Sequence, residues 1–295
     1  MKILLKDRER FIKFLREILA LKFTPWYRWH PQIAMRYLPA VEWIRAKAFG
    51  SDAQARRGQG LGAKGKQQLT ILEIGSGGLG IAPYLKMPVT GVDKEFEPPF
   101  HPLLKRVRGD ATDLKFGNDS FDVAVSVDML EHLPKQKRQV VVAEMLRVAK
   151  SLVVIGVPCG QEAGEHDRKI KMRLPRPRWP SGPRNDDNSN DDKGFKFLDE
   201  QVEYGLPEEI DILHYIKASV KALRKQTQIK IEGNMNLKLR EFLMRGWMSK
   251  NVLVNILFRK VFLLLIPVFR LLDKEPYYRK MFLVTIKEKA KSKKQ

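Results

Sequence analysis

Residues 70–80, TILEIGSGGLG, bring a carboxylate and a run of glycines together. Gly75, Gly77 and Gly80 spell G-x-G-x-x-G, and Asp93 follows about 20 residues on, as in turns that bind a nucleotide cofactor. Glycine has no side chain to hold a ligand off the backbone. The helix behind such a turn aims its unbonded N–H groups at the same spot. Glu73, two places before the first glycine, bears on the ligand's charge. A carboxylate at the strand's end repels a pyrophosphate and attracts a cation. The expected chemistry is therefore capture of a cationic ligand at an acidic mouth.

The elements that must hold these groups are a strand and a helix. Five residues of strand type enter the turn, and IAPYL beyond it has apolar spacing suited to a helix. S-adenosylmethionine carries an ammonium and a sulfonium and no phosphate, which suits an acidic mouth. The stretch resembles the class I S-adenosylmethionine-dependent methyltransferases of small-molecule and glycan type, and further blocks follow in that family's order. GVD at 91–93 resembles the end of the second strand, and GDATDLKF at 109–116 the adenine-binding block. SFDVAVSVDMLEHLP at 120–134 resembles the fourth strand with its loop, and LRVAKSLVVIGVP at 146–158 the next helix and fifth strand. The resemblance covers about residues 69–160 and implies S-adenosylmethionine as cofactor. It implies Glu73, Gly75, Gly77, Asp93, Asp110, Ala111 and Ser126 as cofactor-binding residues, with Asp93 at the ribose hydroxyls and Asp110 and Ala111 at the adenine. The family's third glycine position holds Leu79, and Gly80 comes one place late, so this turn is expected to bend differently.

Short apolar strands alternate with helices from 69 to 158, the pattern of a parallel sheet wound on both faces. Ligands of such sheets lie beyond the carboxyl ends of the strands. Glu73, Asp93, Asp110 and Ser126 are all expected near that edge. Asp122, at the start of its strand, is expected to be structural. QIKIEG at 228–233 reads as a sixth strand and FLVTIKE at 282–288 as a seventh. The expected fold is α/β: a doubly wound, mostly parallel seven-stranded Rossmann-like sheet with an N-terminal helical extension and a helical insertion between the last two strands. The corresponding divisions are 1–68, amphipathic helices and a basic linker; 69–235, the methyltransferase core; 236–276, the insertion; and 277–295, the last strand and a lysine-rich tail.

The net charge of +21 points to an anionic partner. A single cysteine, Cys159, excludes a disulfide framework or a cysteine zinc cluster, and no metal site is expected. Residues 2–23 read as a basic amphipathic helix and Trp26, Tyr27 and Trp29 as an aromatic cluster. Gly60, Gly65 and Lys66 mimic a phosphate loop, yet Gln67 stands where Ser or Thr would bind magnesium, and no strand precedes them. Residues 161–195 read as a mobile acceptor-side loop, and a helix is expected at about 207–226. The insertion is apolar and basic at once, with Arg245, Arg259 and Arg270 spaced close to whole helical turns. Such an element suits either a packed cap or the head-group plane of an anionic membrane, through 2–23 and 236–272. The start MKILLKDRERF does not read as a signal peptide, and no apolar stretch is long enough to span a bilayer. The expected location is cytoplasmic, or peripheral on the inner face of the membrane.

Methyl transfer is an in-line displacement, and a base is needed only where the acceptor loses a proton, as a hydroxyl does. The segments after the fourth and fifth strands face the methyl group in the resembled family. They nominate Asp128, Glu131 and His132, and His166 and Asp167, with His132 and His166 as candidate catalytic bases. The block for methylating exocyclic amines of nucleic acids is replaced here by SVDMLEHL. Cys159 could serve as a nucleophile but also fits a small buried residue. The expected activity is O-methylation of a small-molecule, glycan or lipid-linked acceptor near a membrane. An RNA methyltransferase and a catalytically silent binding module are the alternatives, with nucleic acid the less favoured partner.

Overall fold

The computed structural model describes residues 31–49, 69–173, 200–201, 203–247, 251, 253–254 and 257–287. The expected helix at 2–23, the cluster of Trp26, Tyr27 and Trp29, the basic linker at 50–68 and the tail from 288 onward lie outside them.

Strand β1, Ile71–Ile74, is buried at every position, as an apolar run covered on both faces should be. It is joined by β2 (Val89–Asp93), β3 (Leu104–Arg108), β4 (Phe121–Val127), β5 (Ala149–Pro158), β6 (Thr227–Asn236) and β7 (Tyr277–Ile286). The sheet order is β3-β2-β1-β4-β5-β7-β6. The first five strands pair in parallel, and β7 runs antiparallel between β5 and β6. The seven-stranded, doubly wound α/β sheet is therefore as expected. Asp122 is structural, as expected: its Oδ2 accepts the Thr70 N–H and hydroxyl, each at 2.8 Å, fixing the entry of β1 against β4.

Helices cover the two faces unequally. On one face lie α3 (Lys135–Val148) and α5 (Glu209–Ala222). Helix α3 buries Val141, Val142, Met145 and Leu146, and α5 buries Ile212 and Ile216, both stripes at helical spacing. On the other face α2 has only four residues, Ala82–Leu85. The N-terminal helix α1, Pro31–Phe49, packs there, burying Ala34, Met35, Tyr37, Ala40, Val41 and Ile44. Its Tyr37 ring stacks on Tyr84 of α2, centroids 5.2 Å apart.

The insertion between β6 and β7 is helical, but broken. Helix α6 (Leu237–Trp247) is followed by a π turn (Leu257–Val261), a 3-10 turn (Phe262–Leu265) and α7 (Ile266–Leu272). Arg245 and Arg270 thus lie on different helices instead of along one, and each already has a carboxylate: Glu241 at 2.7 Å and Glu42 at 2.6 Å. Phe258 and Phe262 meet edge-on at 4.5 Å, with Phe242 stacked near them. A Cβ at Gly246 would strike the Phe258 ring, so this glycine admits the aromatic cluster against α6.

One expectation fails here. Residues from 161 onward were expected to form a loop, yet Gly160–Arg173 is a helix, α4. Its buried face is Ala163, Asp167 and Ile170. A buried aspartate in the middle of that stripe hides the helical period from a reading based on apolar residues. The rest of the expected loop, 174–195, lies outside the described residues.

Candidate active site

The glycine turn lies at the carboxyl end of β1, with Gly75, Gly77 and Gly80 all at positive φ, between 54° and 75°. The Gly75 N–H donates to Val92 O at 2.9 Å and the Gly77 N–H to Asp93 Oδ2 at 2.8 Å, so the turn is bonded to the end of β2. Among the described residues, a Cβ at Gly77 would meet no atom within 4 Å. The backbone there is bare on its outer side, as a ligand's close approach requires.

Glu73 does not line this opening. It is 1% exposed, and its Oε2 accepts the Ile81 N–H at 2.7 Å from beneath the turn. Burial pushes its carboxyl up to about 8, against the opposing pull of the Ile81 N–H and of Arg36. A Cβ at Gly80 would collide with Glu73 Oε2. The late glycine therefore exists because the glutamate is folded under it, and the expected acidic mouth is not supplied by Glu73.

Two other expected carboxylates lie at the ends of the neighbouring strands. Asp93 ends β2 half-buried. Asp110, just past β3, is exposed; its Oδ1 accepts the Thr112 N–H at 2.8 Å and the Thr112 hydroxyl at 2.7 Å. Those two bonds hold its carboxyl below the usual range, with Lys94 adding a weaker pull from 3.8 Å. Gly109 N–H donates to Asp93 O at 3.0 Å, which ties the two segments together; Ala111 is half-buried beside them. Ser126 lies one residue short of the end of β4, 1% exposed, and its hydroxyl has no partner among the described residues.

Beyond β4 the chain enters a buried ionic cluster. Asp128 sits at φ 53°, and its carboxylate is gripped by both the Nε and a terminal nitrogen of Arg279 on β7. Arg36 of α1 stands 3.3 Å from the same carboxylate and donates to Val127 O at 2.7 Å. Arg279 also donates to Asn234 Oδ1 on β6 at 2.8 Å, and Asn234 donates to Met35 O at 3.2 Å. Burial would raise the Asp128 carboxyl, but the two guanidiniums outweigh it and hold it low. Glu131 is fully buried, and neither oxygen has a hydrogen-bond partner among the described residues; burial and nearby Asp128 push its carboxyl well up.

The two candidate bases do not share a partner. His132 Nδ1 lies 2.9 Å from Glu200 Oε2, and its Nε2 lies 3.8 Å from Glu131 Oε1. Burial lowers its pKa, with Glu200 opposing. His166, on α4, accepts from Arg240 through Nδ1 at 2.8 Å, because a guanidinium can only donate. Burial and the Arg240 charge push it down to about 4. Asp167 is paired with Arg240 at 2.7 Å and accepts the Tyr278 hydroxyl at 2.9 Å, with Arg240 lying 3.6 Å over the Tyr278 ring. His166 and Asp167 therefore anchor α6 to α4. Cys159 is buried, which pushes its thiol up and removes the thiolate a nucleophile needs.

Arg36, Glu200, Asn234, Arg240, Tyr278 and Arg279 were not singled out from the sequence. Arg279 lies 151 residues from its aspartate, and nothing local marks an arginine on a strand as buried.

Residues 72–155 match a family model described as a methyltransferase domain. No curated protein matches the chain in sequence. Among solved structures, magnesium protoporphyrin IX methyltransferase from Synechocystis, with bound SAH, is 12% identical over 87% of this chain and 83% of its own, with a TM-score of 0.43. Phosphoethanolamine N-methyltransferase 2 from Haemonchus contortus is 17% identical over 89% of this chain and 59% of its own, at a TM-score of 0.41. The YcgJ protein from Bacillus subtilis is 13% identical over 85% and 99%, at 0.39.

Proposed function

We propose that the methyltransferase domain of this chain uses S-adenosylmethionine to methylate an oxygen of a small-molecule, glycan or lipid-linked acceptor, near a membrane surface. The observation that carries the reading is the bare backbone of Gly77 facing the Asp93 carboxylate. A ligand with hydroxyls for Asp93 and no phosphate fits that rim, and the ionised Asp110 favours a cation over an anion.

When bound, the sulfonium supplies an electrophilic methyl group: the acceptor oxygen forms the new bond to carbon, the old carbon–sulfur pair stays on sulfur, and the acceptor's proton leaves. The residues of this chain bind and orient. Asp93 holds the ribose hydroxyls with the oxygen not used by Gly77, and Asp110 and Ala111 border the adenine. His132 is the better base of the two histidines. Glu200 accepts a hydrogen bond from Nδ1–H, which fixes the tautomer and leaves Nε2 with a lone pair. His166 has its acceptor nitrogen occupied by Arg240.

The membrane part of the reading is supported by the insertion's outer side. Leu257, Val261, Leu264, Leu265, Val268, Leu271 and Leu272 are all exposed there, on a chain of net charge +21. Among the described residues no helix is long and apolar enough to cross a membrane, so contact would be interfacial.

Calorimetry with S-adenosylhomocysteine tests the cofactor assignment. Saturable binding that is lost in Gly77→Val supports it; uptake of NAD with no response to the sulfonium compound overturns it. Mass spectrometry of glycans and lipids from cells with and without the gene then reads which methyl group depends on the chain.

A further inference from the structure

Between the start of α4 and the segment formed by Gln201 and residues 205–208 lies a cavity of about 280 Å³, with Gly160, Gly164, Asp167, Arg168, Gln201 and Glu208 in its wall. We infer that this cavity is the acceptor's subsite and that it recognises a neutral ring bearing hydroxyl groups, of the size of one sugar unit. The inference rests on the proposed methyl transfer and narrows its acceptor.

Position is the first argument. Gly160 follows the carboxyl end of β5, on the edge where ligands of a wound sheet bind. Gln201 is the chain neighbour of Glu200, which holds His132. The residue proposed to take the acceptor's proton is therefore fixed by the segment that forms the cavity wall.

Chemistry is the second. Gln201 is only 6% exposed, lines the cavity, and has an amide oxygen with no hydrogen-bond partner among the described residues. A buried amide oxygen left unpaired is costly, so the group calls for a partner from the cavity. A hydroxyl both donates and accepts, so it satisfies the amide whichever way its oxygen and nitrogen are turned.

Charge is the third. The wall carries the carboxylates of Asp167 and Glu208 and one guanidinium, Arg168. Asp167 is already neutralised by Arg240 on the insertion. The overall +21 of the chain is thus not repeated inside the cavity: with that pair cancelled, Glu208 and Arg168 balance, and the wall gives neither a phosphate nor an ammonium a net attraction. Size agrees: at about 30 Å³ per water the space holds roughly nine waters, enough for one ring and short of a drug-sized ligand. Three glycines make much of the wall, and among the described residues a Cβ at Gly164 would touch only Leu206, at 4.0 Å.

Saturation-transfer NMR on the full chain, with and without S-adenosylhomocysteine, tests this using methyl hexosides and a hexose phosphate as probes. The expected result is transfer to the neutral hexosides and none to the phosphate. Gln201→Leu and Gly164→Leu should each weaken hexoside binding by about tenfold or more while S-adenosylhomocysteine affinity holds. Gly164 is helical with room beside it, so that variant should fold. Absence of signal from every hexoside at millimolar concentration, preference for the phosphate, or unchanged binding in both variants would overturn the inference. Failure of S-adenosylhomocysteine to bind would instead remove the proposed function, since the hexoside arm is read separately.

Discussion

Asp93 Oδ2 accepts the Gly77 N–H at 2.8 Å, so the acidic end of the second strand and the bare glycine of the turn form one bonded rim. That contact leaves the other carboxylate oxygen for a ligand. Asp93→Ala should weaken S-adenosylhomocysteine binding by about 1–3 kcal/mol, the scale of a charge-assisted hydrogen bond. Calorimetry on a variant whose melting curve is close to that of the parent checks it, and unchanged affinity removes Asp93 from the site.

Gly80 and Gly77 share a φ of 54° but should fail differently when replaced. At Gly80 a Cβ collides with Glu73, so Gly80→Ala should lose at least about 2 kcal/mol of folding stability. At Gly77 nothing among the described residues stands in the way, so Gly77→Ala should fold with only backbone strain of roughly 1 kcal/mol and lose cofactor binding instead. Urea unfolding and calorimetry on the two variants separate these outcomes.

Glu73 should make the protein less stable as pH rises. Its carboxyl moves from an ordinary 4.5 to about 8 on folding, so the folded chain binds this proton more tightly than the unfolded one. The contribution is neutral below about 4.5, grows unfavourable with rising pH, and is fully developed above about 8. Glu73→Gln keeps an acceptor for the Ile81 N–H and removes the titration. The variant should gain on the parent by an amount on the order of a few kcal/mol at pH 9 and little at pH 5, read from paired melting curves.

Arg279→Met leaves Asp128 buried with Arg36 alone. The expected loss is about 3–5 kcal/mol, because one partner of a buried pair is removed while the other stays charged. The double variant Arg279→Met with Asp128→Asn should be less damaged than the sum of its parts. Urea unfolding of the four proteins of that cycle supplies the test, and simple additivity would show that the two residues do not act together.

The insertion's outer leucines should bind lipid. Wild-type protein is expected to float with vesicles containing phosphatidylserine, and Leu264→Glu with Leu271→Glu should abolish flotation without lowering S-adenosylhomocysteine affinity. Equal flotation of the variant, or none of the parent, would remove the membrane from the reading.

The parallel core of the sheet was legible because β1, β2, β4 and β5 are largely apolar runs that end at or just before a glycine or an acidic residue. The rim formed by the glycine turn and Asp93 was legible for the same reason: its parts lie within a few residues of a strand end. The role of Glu73 was not, since a sequence does not tell whether a carboxylate at a strand's end points out to a ligand or folds back under its own turn. Gly80 held that information, as a glycine required by a neighbour seven residues earlier. Helix α4 was missed because its buried face includes Asp167, and Arg240, which makes that burial tolerable, sits on a distant helix. The grip of Arg36 and Arg279 on Asp128 was beyond reach for a similar reason. Long-range ionic contacts leave no local period.

Asn236, the last residue of β6, is paired with Tyr277, the first of β7. Everything from 237 to 276 therefore leaves and re-enters the sheet at adjacent points, and by connectivity it is the loop of a β-hairpin. Lengthening such a loop adds closure entropy only slowly, so the core tolerates an elaborate excursion there at small thermodynamic expense. The strand order thus makes this segment an exchangeable cassette: a different excursion could be grafted between the same two residues, provided it returned a cation to Asp167, and the glycine turn at the far end of β1 would be left standing.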